Sequence, residues 1–324
     1  MKVLLITKAK TPIPLEPTWA VLAQHCQVDR VVFSDDDLDV YDEALGRIDF
    51  RGYDRVLLDQ NLRRVGAQYV ALRKVPNLVF LDHDAYQHFL PESRWHGKYE
   101  VVLRDIGRIR LLVPNRTCEL AFRAAGIDAG YLPKCYNADH ISDLGQKRDI
   151  EFGHIGRTKN RIYAQRRKLL KRAHHAVPVQ MLRTTDGDYA GYNQLLNRIR
   201  FFISADIGYN EYMFKNFEAM AAGCVLVAKR QPAIEQEALG FVDMENVVLY
   251  DDHVELVNKM NLLRQEPKRA DEIAARGRQL VESRHTMTQR GEELVKLLQP
   301  EIGTAPPPSR WEKFRRLKLT RFPV

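Results

Sequence analysis

The sequence predicts an α/β protein built from two doubly wound domains facing a cleft. Three observations lead there. Short, wholly apolar runs alternate with helix-like stretches in both halves, the pattern of a parallel sheet covered on both faces. The alternation stops over LPKCYNADHISDLGQKRD (132–149), a polar stretch with a Pro and a Gly, and then resumes. The 324 residues are too many for one ordinary core and suit two.

Taken in order, KVLLIT (2–7) has the composition of a buried strand, and a helix follows around Thr18–His25. DRVVFS (29–34) and YDRVLLD (53–59) read as further strands, LRRVGAQYVALRKV (62–75) as a helix, and NLVFLDHD (77–84) as a strand with a polar end. KYEVVL (98–103) and RIRLLVPN (108–115) continue the apolar series before the helix RTCELAFRAAG (116–126). After the break, IEFGHIG (150–156), VPVQMLRT (177–184), RFFISAD (200–206), CVLVAKR (224–230) and NVVLY (246–250) read as strands. Helical patterns stand between them, among them the basic NRIYAQRRKLLKRAHH (160–175) and YNQLLNRI (192–199). Three more close the domain, over 254–265, 270–284 and 286–299. The expected division is therefore a first domain at 1–135, a linker at 136–149, a second domain at 150–298, and a tail at 299–324.

That tail begins PEIGTAPPPS, stiffened by a run of three consecutive prolines, and continues RWEKFRRLKLTRFPV, with six Lys/Arg against one Glu. Aromatic and aliphatic residues interleave with its charges, which suits an anionic membrane surface contacted through 310–324. A helix packed back on the first domain fits the same pattern.

Composition is that of a soluble globular chain, 45% hydrophobic and 28% charged, and no apolar run nears the ~20 residues of a membrane helix. MKVLLITKAK reads as a first strand and not as a signal peptide. Cys26, Cys118, Cys135 and Cys224 fall in no zinc-like spacing, and scattered thiols suit a reducing, cytoplasmic setting. The net charge of +8 points to an anionic partner. No aromatic stacking motif accompanies the basic helix, so nucleic acid is not expected. GxGxxG, P-loop, HExxH and GxSxG motifs are absent.

Candidate site residues follow from where strands end, because ligands of doubly wound sheets sit beyond the carboxyl ends. His83 and Asp84 lie at one such end and could supply a base. Lys8 and Lys10 lie at another. In NEYMFKNFEAMAAGCVLVAKR (210–230) a helix begins at the sheet edge with Glu218 inside it. Free N–H groups at that start attract phosphate, and an acid farther along can accept hydrogen bonds from a sugar diol. The spacing equally allows an ion ladder of Glu211, Lys215 and Glu218 on a solvated face.

FEAMAAGCVLVAKR, preceded by Lys215-Asn216, resembles the donor-nucleotide motif of GT-B glycosyltransferases, and is most similar to the CgeB-like group of the glycosyl transferases group 1 type. Asn210 stands where the family-4 type has its first Glu, with Glu211 one residue on. IEFGHIGRTKNR resembles the first strand and loop of the same family's nucleotide domain, and the likeness extends through 231–293. The resemblance implies a GT-B fold of two Rossmann-like domains, the first binding a glycan or lipid-linked acceptor and the second a nucleotide-diphosphate sugar. It implies that Gly156, Arg157, Lys159, Lys215, Asn216, Phe217 and Glu218 hold the donor, with Arg161 a further candidate. His83 and Asp84 would face the transferred sugar. No metal and no cofactor are expected, since cations can hold the diphosphate, and Asp35-Asp36-Asp37 falls in the other domain. The activity implied is metal-independent glycosyl transfer in polysaccharide biosynthesis, peripheral to the inner membrane face. A silent nucleotide-sugar-binding module and a nucleotide-sugar epimerase remain the alternatives.

Overall fold

The computed structural model describes residues 1–9, 14–157, 159, 163–185, 187–205 and 210–317, with side chains to 314. The chain divides into two compact units, Met1–Pro133 with Arg290–Val324, and Lys134–Gln289.

Among the described residues of the first unit, the strands are β1 (Lys2–Lys8), β2 (Gln27–Phe33), β3 (Arg55–Asp59), β4 (Leu78–Leu81), β5 (Ile109–Val113) and β6 (Asp128–Tyr131). They form one parallel sheet in the order β2-β1-β3-β4-β5-β6. Central strands are apolar throughout because helices cover both faces. Val3, Leu4, Leu5 and Ile6 of β1 are all buried, each contributing about 1.5–3 kcal/mol. KYEVVL is not a strand: it opens the helix Tyr99–Ile106, whose buried Tyr99, Val102, Leu103 and Ile106 recur at helical spacing. The segment 62–75 is one α-turn, Leu62–Val65, followed by the 3-10 stretch Gly66–Lys74. Asp35-Asp36-Asp37 begins a short helix, with Asp37 and Ser34 closing a reciprocal capping box. Asn115 is the buried cap of the helix Arg116–Ala124, accepting from the Cys118 N–H at 2.9 Å.

The second unit's described strands are β7 (Ile150–Ile155), β8 (Gln180–Leu182), β9 (Ile199–Ser204), β10 (Val225–Lys229) and β11 (Val248–Tyr250), parallel in the order β11-β10-β9-β7-β8. Gly153 sits where β7 passes β9 most tightly: a Cβ there would come within 2.7 Å of Ile199.

Two stretches count with different units than the expected domain limits imply. Residues 136–149, read as a linker, belong to the second unit, where the Tyr136 N–H donates to the His285 carbonyl (3.1 Å) and Asp143 pairs with Arg278 (2.5 Å). Residues 290–298 belong to the first unit, as does the tail. Two arginines hold that return. Arg110 donates to the carbonyls of Leu297 (2.8 Å), Pro300 (3.1 Å) and Glu301 (2.6 Å), and Arg55 to those of Leu298 and Pro300 (both 2.8 Å). The tail helix Arg310–Leu317 is pinned on the helix Tyr99–Ile106 by Glu312 to Arg104 (3.1 Å) and by Lys313 to Asp105. Trp311 stays 74% exposed and Phe314 53%. No helix among the described residues is long and apolar enough to cross a membrane.

Candidate functional site

The order of the second sheet reverses at one place. From β7 the chain first adds β8 on one side, then crosses to add β9 on the other. Connections leaving in opposite directions open a crevice at the carboxyl ends of the two inner strands. Here those ends are Ile155-Gly156 and Ser204-Ala205.

Four side chains are fixed at this crevice. His154, fully buried, turns Nδ1 to the Ile203 carbonyl oxygen of β9 at 2.7 Å. Arg166, from the helix Ala164–Ala173, donates to the carbonyls of Ala205 (2.9 Å) and Arg157 (2.7 Å). Lys215, in the first turn of the helix Phe214–Ala221, reaches back to the Ile155 carbonyl at 3.3 Å. Asn216 accepts a 2.7 Å hydrogen bond from the Ser204 hydroxyl, tying the helix start to the end of β9. A Cβ built on Gly156 would lie 2.8 Å from Lys215 Nζ, 3.0 Å from His154 Nε2 and 3.2 Å from Arg166 Nη1. Three nitrogen-bearing tips therefore converge on one glycine. Arg157 and Lys159 stand exposed beside it, with no acidic partner among the described residues.

One turn farther along the same helix, Glu218 accepts a 2.6 Å hydrogen bond from the Tyr192 hydroxyl. The residue keeps partial exposure while its carboxyl is enclosed. Burial pushes that carboxyl above its ordinary range, against the opposite pull of Tyr192 and Lys215. The Tyr192 hydroxyl is pushed up in turn by burial and by Glu218. The ladder that the spacing also allowed does not form, because Glu211 is buried and bonded to Lys134 at 2.5 Å. Phe217, expected to hold donor, is a core residue 1% exposed, packed on Phe241 and His285. Asn216 likewise spends its carbonyl oxygen on Ser204. Lys10 and Arg161 lie outside the described residues.

The first unit has its own order reversal, between β1 and β3, which end at Lys8 and Asp59. His83 Nε2 lies 3.6 Å from Asp59 Oδ1. Asp84 faces other partners: its Oδ2 accepts from Asn61 Nδ2 (2.8 Å) and lies 3.1 Å from Arg63 Nε. Asp82 is fully buried, accepting from the Leu62 and Asp84 N–H groups (2.8 and 2.7 Å), and burial pushes its pKa up to about 6. Among the described residues no group of three acidic, His or Cys side chains is placed to hold a metal ion.

His154, Arg166, Tyr192 and Asp59 were not singled out from the sequence. Only Arg166 had a visible signal, a basic helix directly after the glycine loop.

Residues 158–296 match the model of a family described as glycosyl transferase-like. The fold is GT-B. HepE of Anabaena, solved with UDP-glucose, superposes with a TM-score of 0.62 at 14% identity, covering 92% of this chain and 99% of its own. The β-glucosyltransferase of T4 phage, a DNA-modifying enzyme, gives 0.60 at 13%, covering 93% and 100%. TarM of S. aureus gives 0.58 at 12%; 82% of this chain is covered, and it spans 58% of the TarM chain. At such identities the likeness to these GT-B structures is one of fold. No curated protein sequence matches the chain.

Proposed function

We propose that the protein is a glycosyltransferase that moves a sugar from a nucleotide-diphosphate sugar to a hydroxyl of a glycan or lipid-linked acceptor. One observation carries the reading: three nitrogen-bearing tips converge on Gly156 at the sheet's order reversal, one helical turn from an enclosed carboxylate. The crevice suits a diphosphate at Gly156, Lys215 and Arg166, with Arg157 and Lys159 adding charge from the rim. Glu218, held by Tyr192, is placed to accept hydrogen bonds from a ribose diol. The glycosyl transferase-like match over 158–296 supports the reading, as do the bound ligands of GT-B neighbours: UDP and UDP-glucose in HepE, UDP and fondaparinux in TarM.

Transfer breaks the bond between the sugar's anomeric carbon and the diphosphate oxygen, which leaves the diphosphate one negative charge richer. Fixed cations stabilise that charge as it develops, with no reorganisation at the moment of reaction. The acceptor hydroxyl must shed a proton. His83 is the better base of the two expected residues, since Asp59 stands behind its ring while Asp84 is occupied by Arg63 and Asn61. At the tail, exposed Trp311 and Phe314 beside basic residues support contact with an anionic membrane surface.

Thermal-shift titration with UDP-glucose, GDP-mannose, ADP-glucose and dTDP-glucose tests the reading. One of them should raise the melting temperature, and Glu218→Gln should blunt the effect. Product analysis then separates transfer from epimerisation or silent binding. No shift with any of the four sinks the proposal.

A further inference from the structure

Resting on that reading, we propose that His154 takes up one proton when the diphosphate binds and becomes a cationic donor to it beside Lys215 and Arg166. The argument starts from the tautomer. A carbonyl oxygen only accepts, so the 2.7 Å contact with Ile203 requires the proton on Nδ1. The neutral ring then presents a bare lone pair at Nε2. That atom is buried and makes no hydrogen bond, although the residue is 0% exposed. Buried polar atoms are normally satisfied, and one left open at the convergence point of two cations calls for a partner.

The surroundings explain why the ring stays neutral in the free protein. Lys215 faces it from the helix Phe214–Ala221 and Arg166 from the helix Ala164–Ala173. β9 contributes the Ile203 carbonyl and the Phe202 ring, and its end contributes the Ser204 hydroxyl bonded to Asn216. No carboxylate among the described residues perturbs the ring, and burial with the two cations holds its pKa well below 6.5.

A diphosphate inverts each of these influences. Its negative charge offsets Lys215 and Arg166, and its oxygens accept from the N–H that protonation creates. The balance is simple: one solvent proton adds to the Nε2 lone pair, Nε2–H donates to a phosphate oxygen, and the proton returns to solvent when the nucleotide leaves. Sugar departure adds negative charge beside the imidazolium, so the same proton favours the transfer step.

The test is calorimetry on the full chain near pH 7.5, in buffers of low and high ionisation enthalpy. The probe is UDP-glucose, or whichever of GDP-mannose, ADP-glucose and dTDP-glucose binds; none carries a phosphate that titrates near neutrality. Uptake approaching about one proton per ligand is expected, and about none in His154→Gln, whose amide can donate but not titrate. A second measurement needs no variant. Ring-nitrogen NMR of histidine-labelled protein should show one imidazole that stays neutral as the free protein is acidified and becomes protonated on ligand addition. Binding without uptake, or with uptake unchanged in His154→Gln, overturns this inference and leaves the donor site standing. If none of the four nucleotide sugars binds, both fall.

Discussion

Gly156→Ala isolates the crevice from the rest of the fold. The added Cβ would meet Lys215 Nζ at 2.8 Å, His154 Nε2 at 3.0 Å and Arg166 Nη1 at 3.2 Å, all of them ends of side chains. Gly156 lies at φ +157°, a conformation a side chain strains, and His154 and Arg166 are buried and hydrogen-bonded in place, so the fold should lose about 1–3 kcal/mol. The cations cannot move and still meet on one phosphate. Losing one charge-assisted hydrogen bond, about 1.5–3 kcal/mol, corresponds to about 10- to 150-fold in Kd. Gly153→Ala, three residues earlier, is the control. Its Cβ would strike Ile199 at 2.7 Å inside the sheet, and such overpacking costs about 1–3 kcal/mol of stability without touching the cations. Thermal melts should show a loss of stability in both variants, while calorimetry of nucleotide-sugar binding should show weakened affinity in Gly156→Ala and near wild-type affinity in Gly153→Ala. Equal donor affinity for Gly156→Ala and wild type would refute the placement of the diphosphate.

Tyr192→Phe removes the donor that favours the ionised form of Glu218. Donor Kd should weaken about tenfold, and the gap should widen as pH falls, because without the Tyr192 hydroxyl Glu218 takes up a proton more readily. Lys134→Met leaves Glu211 buried without its lysine, at a cost of about 3–5 kcal/mol in denaturant unfolding; adding Glu211→Leu should recover most of it. Asp82 titrates near 6 when folded against an ordinary 3.8, so the native state holds its proton through that window. Its contribution is full below 3.8 and lost as pH rises through about 6, a slope in urea midpoints that Asp82→Asn should flatten. His83→Asn should lower kcat by about 10²–10⁴ with donor KM nearly unchanged; an unaltered kcat removes His83 as the base.

The strands were largely readable because a parallel sheet buried on both faces demands unbroken apolar runs, and β1, β3, β9 and β10 supply them. Short runs are where that signal fails: four apolar residues in KYEVVL serve a helix face as well as a strand. The opposite failure is β6, DAGY, with hardly an apolar run to notice. Its Gly130 is there because Leu112 and Leu297 fill the space a side chain would take. At the crevice, Glu218 was visible through local order along the chain, and Gly156 and Lys215 through the resemblance to the glycosyltransferase motif. His154 was not, since its meaning comes from the Ile203 carbonyl brought alongside by the strand crossing. Tyr192 and Asp59 matter through partners 26 and 24 residues away, Glu218 and His83. Phe217 entered through the resemblance, as part of Phe-Glu-Ala beside Glu218, but neighbouring residues on a helix face different ways, and it fills the core.

The return of residues 290–317 to the first unit has a consequence for how the protein is made. Residues 134–289 leave the ribosome complete, while the sheet begun before them still waits for its closing strap. Until that strap arrives, Arg55 and Arg110 have only water where six carbonyl bonds will later be. A stop codon or a proteolytic nick after Gln289 would therefore spare the half translated in between and cripple the half translated first.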